Sequence, residues 1–277
     1  MIALIRTEFT KAAFRTRTLV VALLLIGLPS LIVVAINARS DRPRRGDGGD
    51  GLFRLASQSG LLVPAAVLSA TSGLLLIIIA GTFAGDSVAS DASWGNLRYL
   101  LMRPVSRVRL VLAKAFVAGT LIWAATILVA LAALVSGLLL FGAHDVTVPG
   151  VGGLLGGTHL STGALALRAL IATGYVAFGF SALLAVGTLF STLTDTAASA
   201  IGATVGIYIV SEILDSISQL GQVRYAFPTH YFDAWETMFT DNTYSREMAI
   251  GIVVQLAYLV VIGAVAVMWF NRKDIRS

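Results

Sequence analysis

Long apolar segments without Asp, Glu, Lys or Arg alternate with short polar segments along the chain. A helix needs about 20 apolar residues to cross the roughly 30 Å hydrocarbon core of a bilayer, so each apolar segment is a candidate membrane span. With the fifth segment extended past Glu212, the predicted spans are residues 18–38, 61–85, 115–141, 169–192, 196–214 and 248–270. The pattern therefore predicts an all-α integral membrane protein with six transmembrane helices in one domain, residues 1–277.

The fourth and fifth apolar segments are separated only by Asp195. Together they are far too long for one crossing, so we expect two helices joined by a tight turn near residues 192–196. Thr194 or Asp195 is the expected N-cap of the fifth helix, since both side chains accept hydrogen bonds from backbone N–H groups.

Apolar residues recur at helical spacing ahead of the first span. Ile2, Ile5 and Phe9 share one face, and Arg6 and Lys11 fall elsewhere on the helical wheel. This periodicity predicts a short amphipathic helix that lies in the membrane interface. The alternative is an unstructured basic tail.

Composition supports the membrane assignment. The chain is 57% hydrophobic and 13% charged, whereas soluble domains average about 45–50% apolar and about 25% charged residues. So few charges cannot cover a water-soluble fold of this length, which excludes soluble enzymes and argues against a nucleic-acid partner. The absence of cysteine excludes disulfides and thiolate metal sites.

The distribution of Lys and Arg predicts the orientation. These residues are more frequent in the segments that share a side with both termini, which places the termini in the cytoplasm by the positive-inside rule. A basic loop that includes Arg42, Arg44 and Arg45 falls on the other side and argues against this orientation. We expect a multi-pass protein of the cell membrane, either plasma or inner membrane, in contact with lipid.

The segment between the second and third spans has the strongest motif. Its apolar residues are spaced by three and four, as on one face of a short helix, and Pro104 ends this pattern. The apolar face consists of Trp94, Leu97, Leu100 and Leu101, and the basic residues that follow are Arg103, Arg107 and Arg109. This segment is either a short helix that inserts into a partner protein or an interfacial loop that Arg and Trp side chains anchor at the membrane surface.

This segment resembles the one that follows the second span in the ABC type-2 transporter permeases, the membrane subunits of ABC exporters. The resemblance rests on Asp91, Gly95, Leu97, Leu100, Leu101, Pro104, Val105, Ser106, Arg107 and Lys114, in that order. Asn96 stands where the family commonly has Thr, and Ser93 stands where it often has an acidic residue. The final residues, 269–277, are also similar to family endings.

The resemblance implies a cytoplasmic coupling helix that binds a groove of a separate ATP-binding subunit. Its contact residues are Asp91, Trp94, Gly95, Leu97, Leu100, Leu101, Pro104 and Arg107. Two permeases, as a homodimer or a heterodimer, would pair with two ATP-binding subunits, which would bind ATP and Mg²⁺. This chain has no Gly-Lys pair and hence no phosphate-binding loop, so no cofactor is expected in it. Lys114 either contributes to the coupling segment or only extends its ammonium to the membrane interface.

Two further groups of residues are candidate sites. Ala198, Gly202 and Gly206 lie four apart and present small side chains on one helix face, for packing either against a second permease or within the subunit. Glu212, Tyr231 and Trp235 are candidates for an outer gate, although a solvated helix end followed by interfacial aromatic residues also explains them.

No catalytic or metal site is expected. His144, His159 and His230 are isolated, without a metal-ligand motif or a nucleophile elbow. The sequence therefore predicts a permease subunit of an ABC exporter that is not itself an enzyme. The alternatives are a secondary transporter or channel, and a membrane anchor or assembly factor without transport activity.

Overall fold

The structure, a computed structural model, describes residues 2–40, 51–93, 106–148, 158–240 and 246–273. Helices dominate these residues. They are α1 (Ile2–Ala13), α2 (Thr16–Ser40), α3 (Gly51–Ala56), α4 (Val63–Thr71), α5 (Ile77–Ser93), α6 (Arg107–Phe141), α7 (Thr162–Gly179), α8 (Ser181–Leu193), α9 (Ala197–Ser216), α10 (Thr237–Thr240) and α11 (Arg246–Arg272). A short antiparallel strand pair, β1 (Val146–Val148) with β2 (Thr158–Leu160), departs from the all-α prediction.

Six helical segments within the described residues are long and apolar enough to cross a membrane, which confirms the predicted number of spans and indicates a multi-pass membrane protein. These segments are Thr16–Ala38, Val63–Asp91, Arg107–Phe141, Thr162–Leu193, Ala197–Ser216 and Arg246–Arg272. Several extend past the predicted ends, because the helices continue through charged residues at their termini.

Two of the spans are interrupted. The second consists of α4 and α5 joined by a π-helical turn at Ser72–Leu76. The fourth consists of α7 and α8, with Phe180 between them outside the regular helical conformation. Helix α2 contains Pro29, which removes one backbone N–H from its hydrogen-bond ladder.

Alternate spans run in opposite directions and meet at two ends of the bundle. At one end α1 lies beside the start of α6 and the end of α5, and the end of α11 lies beside the end of α8. We call this the α1 end. The opposite end carries α3, the strand pair, α10 and residues 218–236, which include 3₁₀ turns at Ser218–Ala226 and Ala234–Glu236.

Helix α5 packs closely against α9, because two of its glycines leave room for that helix. A Cβ on Gly85 would lie 2.9 Å from the Ile201 Cα of α9, and one on Gly81 would lie 2.5 Å from a Val205 methyl. Gly187 of α8 contacts Ala84 on another face of α5. Small residues permit close helix contacts in membranes. This packing fixes the position of the α5 end, from which the predicted coupling segment leaves.

The turn between the fourth and fifth spans differs in one detail from the prediction. Helix α8 ends at Leu193 and α9 begins at Ala197, as expected for a tight turn. The N-cap is Thr196, whose hydroxyl accepts a hydrogen bond from the Ser199 N–H. The prediction of Thr194 or Asp195 was wrong, because the Thr194 hydroxyl donates back to Phe190 O and Asp195 pairs with Lys273.

Candidate functional site

The candidate site is the α1 end, where the predicted coupling segment leaves α5 and returns to α6. Asp91 and Arg107 flank this segment and belong to the described residues. The remaining predicted contact residues lie in the range 94–105, outside the described residues: Trp94, Gly95, Leu97, Leu100, Leu101 and Pro104. The geometry of the site is therefore that of its two flanks.

The first flank is a buried cluster of three charged side chains. The Lys114 ammonium donates to Asp91 Oδ2 and, at 2.9 Å, to Glu8 Oε2. Lys114 is only 4% exposed, and both carboxylates are buried beside it. The cluster joins α1, α5 and α6. The interpretation that Lys114 only snorkels to the interface was wrong, because its ammonium is directed at two carboxylates.

A second charged cluster lies one turn earlier on α5. The Asp86 carboxylate accepts hydrogen bonds from Arg15 at 2.9 Å and from Arg17 at 2.7 Å. Lys11 lies 3.5 Å from the Glu8 carboxylate and extends the charged surface toward solvent. The cavity that these groups line has a volume of only about 50 Å³, which leaves little room for a ligand.

The second flank joins three helix ends. The Arg107 guanidinium donates to the Lys273 carbonyl at 2.7 Å and to the Asn271 carbonyl at 3.4 Å, at the end of α11. The Lys273 ammonium donates to the Thr192 carbonyl at 3.1 Å and to Asp195 at 2.9 Å. Cations near the carbonyls of a helix C-terminus are stabilising, because these groups carry partial negative charge. Arg107 therefore links the start of α6 to α11.

These contacts change the expected roles of Asp91 and Arg107. The resemblance implies that both side chains touch an ATP-binding subunit, but in the structure each has partners within the chain. Buried Asp91 accepts a hydrogen bond from Lys114, and half-buried Arg107 donates to two backbone carbonyls. The contact with a partner subunit stays a prediction and depends on the apolar residues of the segment between them.

The small-residue face of α9 is open. Ala198 and Gly202 are exposed, and nothing in the described part of the chain lies within 4 Å of a Cβ built on Gly202 or Gly206. The interpretation that these residues pack within the subunit was therefore wrong for the described residues. Packing against a second permease stays a prediction.

The close helix contact within the chain uses two other glycines. Gly81 and Gly85, four residues apart on α5, pack against α9. Sequence reasoning missed them, although their spacing is the same as that of Gly202 and Gly206. The spacing alone does not say which small-residue face lies inside the bundle.

The three residues predicted for an outer gate lie at the opposite end and differ in exposure. Glu212 is exposed, Tyr231 is buried, and Trp235 is 0% exposed and packs edge-to-face on Phe239. Desolvation raises the pKa of the Tyr231 phenol above its ordinary value. Trp235 is therefore a core residue at this end and does not line an open mouth.

A buried amide holds the loop at the opposite end. Gln255 of α11 donates to the Pro228 carbonyl at 2.8 Å and accepts from the Ala182 N–H at 3.0 Å. Ala182 lies just after the interruption at Phe180, where the backbone N–H has no partner within the helix. Gln255 accepts the hydrogen bond of this N–H group. Sequence reasoning missed Gln255; an isolated amide in an apolar segment was the available signal.

Two more interactions fix this loop. The Tyr175 hydroxyl donates to the Tyr231 carbonyl at 2.6 Å, and Phe232 packs edge-to-face on Phe180 at a centroid distance of 5.1 Å. The ring of His230, one of the three histidines without a metal-ligand motif, lies 2.6 Å from Asp215. These interactions insert residues 228–232 between the fourth, fifth and sixth spans.

Comparison with known proteins gives one family. A family model described as "Protein of unknown function (DUF2705)" matches residues 52–276, from α3 through the last span. No curated protein matches the chain. The match includes both flanks of the predicted coupling segment and leaves α1 and α2 outside.

Proposed function

The chain belongs to the DUF2705 family of proteins of unknown function, and we propose that it is the membrane permease subunit of an ABC exporter. In this proposal a separate ATP-binding subunit, present in two copies, binds ATP and Mg²⁺ and drives two permeases. The chain moves a substrate across or out of the cell membrane and performs no catalysis itself. Its α1 end faces the cytoplasm, as the positive-inside rule predicts.

One observation carries the proposal: both flanks of the segment between the second and third spans are held by charged contacts to other helices. On one side Asp91 reaches Lys114 and Glu8, and on the other Arg107 reaches the end of α11. A coupling segment must pass a displacement to the spans, and these contacts connect it to α1, α6 and α11. The resemblance between residues 91 and 114 and the ABC type-2 permeases supports the same function.

Helix α1 has a role in this proposal as an interfacial helix. Ile2 and Phe9 of this helix and Phe14 just after it are exposed, as expected for side chains inserted among lipid headgroups and acyl chains. Glu8 anchors the helix to Lys114. Movement of the coupling segment would therefore also move α1 within the interface.

A secondary transporter or channel is the second candidate, because two spans are interrupted. Such transporters bind substrate and ions at broken helices near the bilayer midplane. The interruption at Phe180 supports this reading. However, the Ala182 N–H beside it already bonds with Gln255, which weakens the case for an ion or substrate site there.

Co-purification with an ATPase tests the proposal. We expect the tagged chain, extracted from its own membranes, to retain a soluble protein with a Walker A motif and to show Mg²⁺-dependent ATP hydrolysis. Replacing Leu100 and Leu101 with Asp should abolish both, because charged side chains cannot enter an apolar groove. The matched control is Val223→Asp, the same kind of change at an exposed position of the opposite end.

Two results would contradict the exporter proposal. The first is transport by the purified chain alone in liposomes, which would favour a secondary transporter or channel. The second is unchanged ATPase retention by the Leu100→Asp/Leu101→Asp variant, which would show that this segment does not bind the ATPase. Loss of ATPase retention in both this variant and Val223→Asp would indicate general misfolding. The experiment would then give no support for ATPase binding by this segment.

A further inference from the structure

An open apolar groove of about 400 Å³ lies between α6, α8 and α11. Its walls include Val111 and Leu112 of α6, Leu184 of α8, and Val260 of α11. Among the described lining residues, the hydroxyl of Thr188 is polar, but it donates at 2.8 Å to the Leu184 carbonyl of its own helix. The groove therefore offers no side-chain group that seeks a hydrogen bond, and hydrocarbon is the chemistry that suits it.

The groove opens toward the surroundings of the bundle. Val260 is 65% exposed, and nothing lies within 4 Å of a Cβ built on Gly263 in the part of the chain that the structure describes. Because α6, α8 and α11 belong to spans, the medium at these positions is the lipid bilayer. An acyl chain can enter the groove sideways from the bilayer.

The groove starts near one membrane surface. Val111 lies one turn after the start of α6, and Val267 lies just over one turn before the end of α11. Along α11 the lining runs from Leu259 to Val267, about 12 Å at 1.5 Å per residue. This length covers less than half of a hydrocarbon core about 30 Å thick. The groove therefore suits one acyl chain from the leaflet at the α1 end.

Cationic side chains lie at the α1 end of this groove. Arg107 links α6 to α11, and Lys273 links α11 to the end of α8, so the contacts of these two cations join the three helices that form the walls. Arg109 is exposed and lies one turn before the lining residue Leu112. Asp195, paired with Lys273, is the carboxylate that the described residues place in this group. The positive charges therefore outnumber the negative ones.

We propose that this groove binds an anionic phospholipid, with one acyl chain between α6, α8 and α11 and the phosphate against Arg109 and Lys273. Charge complementarity selects the occupant: basic residues at a membrane surface attract anionic headgroups by about 1 kcal/mol each, or about fivefold in affinity. The inference needs only the groove and its charges and does not depend on the exporter function.

Native mass spectrometry of the full chain in detergent tests this site, with phosphatidylglycerol and phosphatidylcholine of identical acyl chains as probes. We expect one tightly retained phosphatidylglycerol per chain and weaker phosphatidylcholine binding. Arg109→Gln should weaken phosphatidylglycerol binding about fivefold and leave phosphatidylcholine binding unchanged. The matched control is Arg246→Gln, at an exposed position at the opposite end of α11, which should change neither.

A second variant tests the groove itself. Gly263→Leu places a side chain in open space and should abolish retention of both lipids without disturbing the fold. Gly174→Leu, on α7, is its control, because a Cβ there also meets nothing within 4 Å. Equal affinity for the two lipids would overturn the proposal. So would unchanged retention by Gly263→Leu, or a change in oligomeric state with lipid retention intact, which would make the groove a contact between two copies.

Discussion

The two ends of the bundle are held together by different chemistry. At the α1 end, full charges on side chains far apart in sequence meet in clusters, such as Lys114 with Glu8 and Asp91. At the opposite end, neutral donors bind the backbone carbonyls of residues 228–231, as Gln255 binds Pro228 and Tyr175 binds Tyr231. The charged contacts of this end, such as Asp215 with His230, are smaller and join groups nearer in sequence. Removal of a buried charge leaves its partner uncompensated, whereas removal of a neutral group leaves weaker unpaired dipoles.

The α1 end is suited to passing a displacement between helices, and the opposite end is suited to holding a loop in place. A charged cluster can connect three helices through side chains, so a displacement of α5 reaches α1 and α6 directly. The loop at the opposite end is held through its own carbonyls, so its position depends on the path of one continuous segment, residues 226–232. The α1 end is therefore expected to respond most to single charge substitutions, and the predictions below begin there.

The largest effect is expected for Lys114→Met. The substitution keeps an unbranched side chain, leaves the buried Asp91 carboxylate without its cation and leaves Glu8 with only the exposed Lys11, which costs about 3–5 kcal/mol. Chemical unfolding of the purified chain in detergent measures the loss of stability. Lys11→Met removes the 56% exposed partner of Glu8 and should cost at most about 1 kcal/mol. Equal effects of the two variants would show that burial does not distinguish Lys114 from the exposed Lys11.

A smaller effect is expected at Gly85, where α5 meets α9. A Cβ there would lie 2.9 Å from the Ile201 Cα, so Gly85→Ala must separate two backbones and should cost about 1–3 kcal/mol. The same unfolding experiment measures it. Gly202→Ala has open space around the new methyl and should leave the stability of the isolated chain unchanged or slightly higher. Comparable destabilisation by both would show that Gly202 also lies at a contact.

The number of spans was predictable from the sequence, but their ends were not. Residues 61–85 were predicted for the second span, whereas the helix continues to Ser93 through Asp86 and Asp91. These carboxylates are neutralised by Arg15, Arg17 and Lys114, so they do not end the helix. A charge-free segment therefore gives only the minimum length of a span, because ion pairs between helices are not visible in a linear sequence.

The candidate site was predictable in part. The resemblance to the ABC type-2 permeases identified the flanking positions Asp91 and Arg107, but implied a contact with a partner for both. Their partners, Lys114 and the carbonyls of α11, are distant in sequence and become adjacent only in the folded bundle. Trp235 was assigned to a mouth for a similar reason: aromatic density indicates an interface, whereas burial depends on how the loop folds back.

At the opposite end, Gln255→Leu should have a moderate effect. The variant leaves the Ala182 N–H and the Pro228 carbonyl without their side-chain partner. Hydrogen bonds of side chains within membrane proteins average about 0.6 kcal/mol and reach about 1.7, so we expect a loss of about 1–2 kcal/mol for two bonds. Gln222→Leu, exposed on the 3₁₀ turn, is the control and should stay within about 0.5 kcal/mol. A loss as large as that of Lys114→Met would contradict the weaker neutral bonding at this end.

The smallest effect is expected for an exposed ion pair at the α1 end itself. Lys273 and Asp195 lie 2.9 Å apart, but the Asp195 side chain is 83% exposed. Water and salt screen such a pair, so Asp195→Asn should cost at most about 1 kcal/mol, and the cost should disappear at about 1 M salt, where the screening length is about 3 Å. Unfolding at low and high salt measures this difference. Lys114→Met serves as the comparison, because its buried cluster is screened much less and its loss of stability should persist at high salt. A large, salt-independent effect of Asp195→Asn would show that charge alone, and not burial, distinguishes the α1 end.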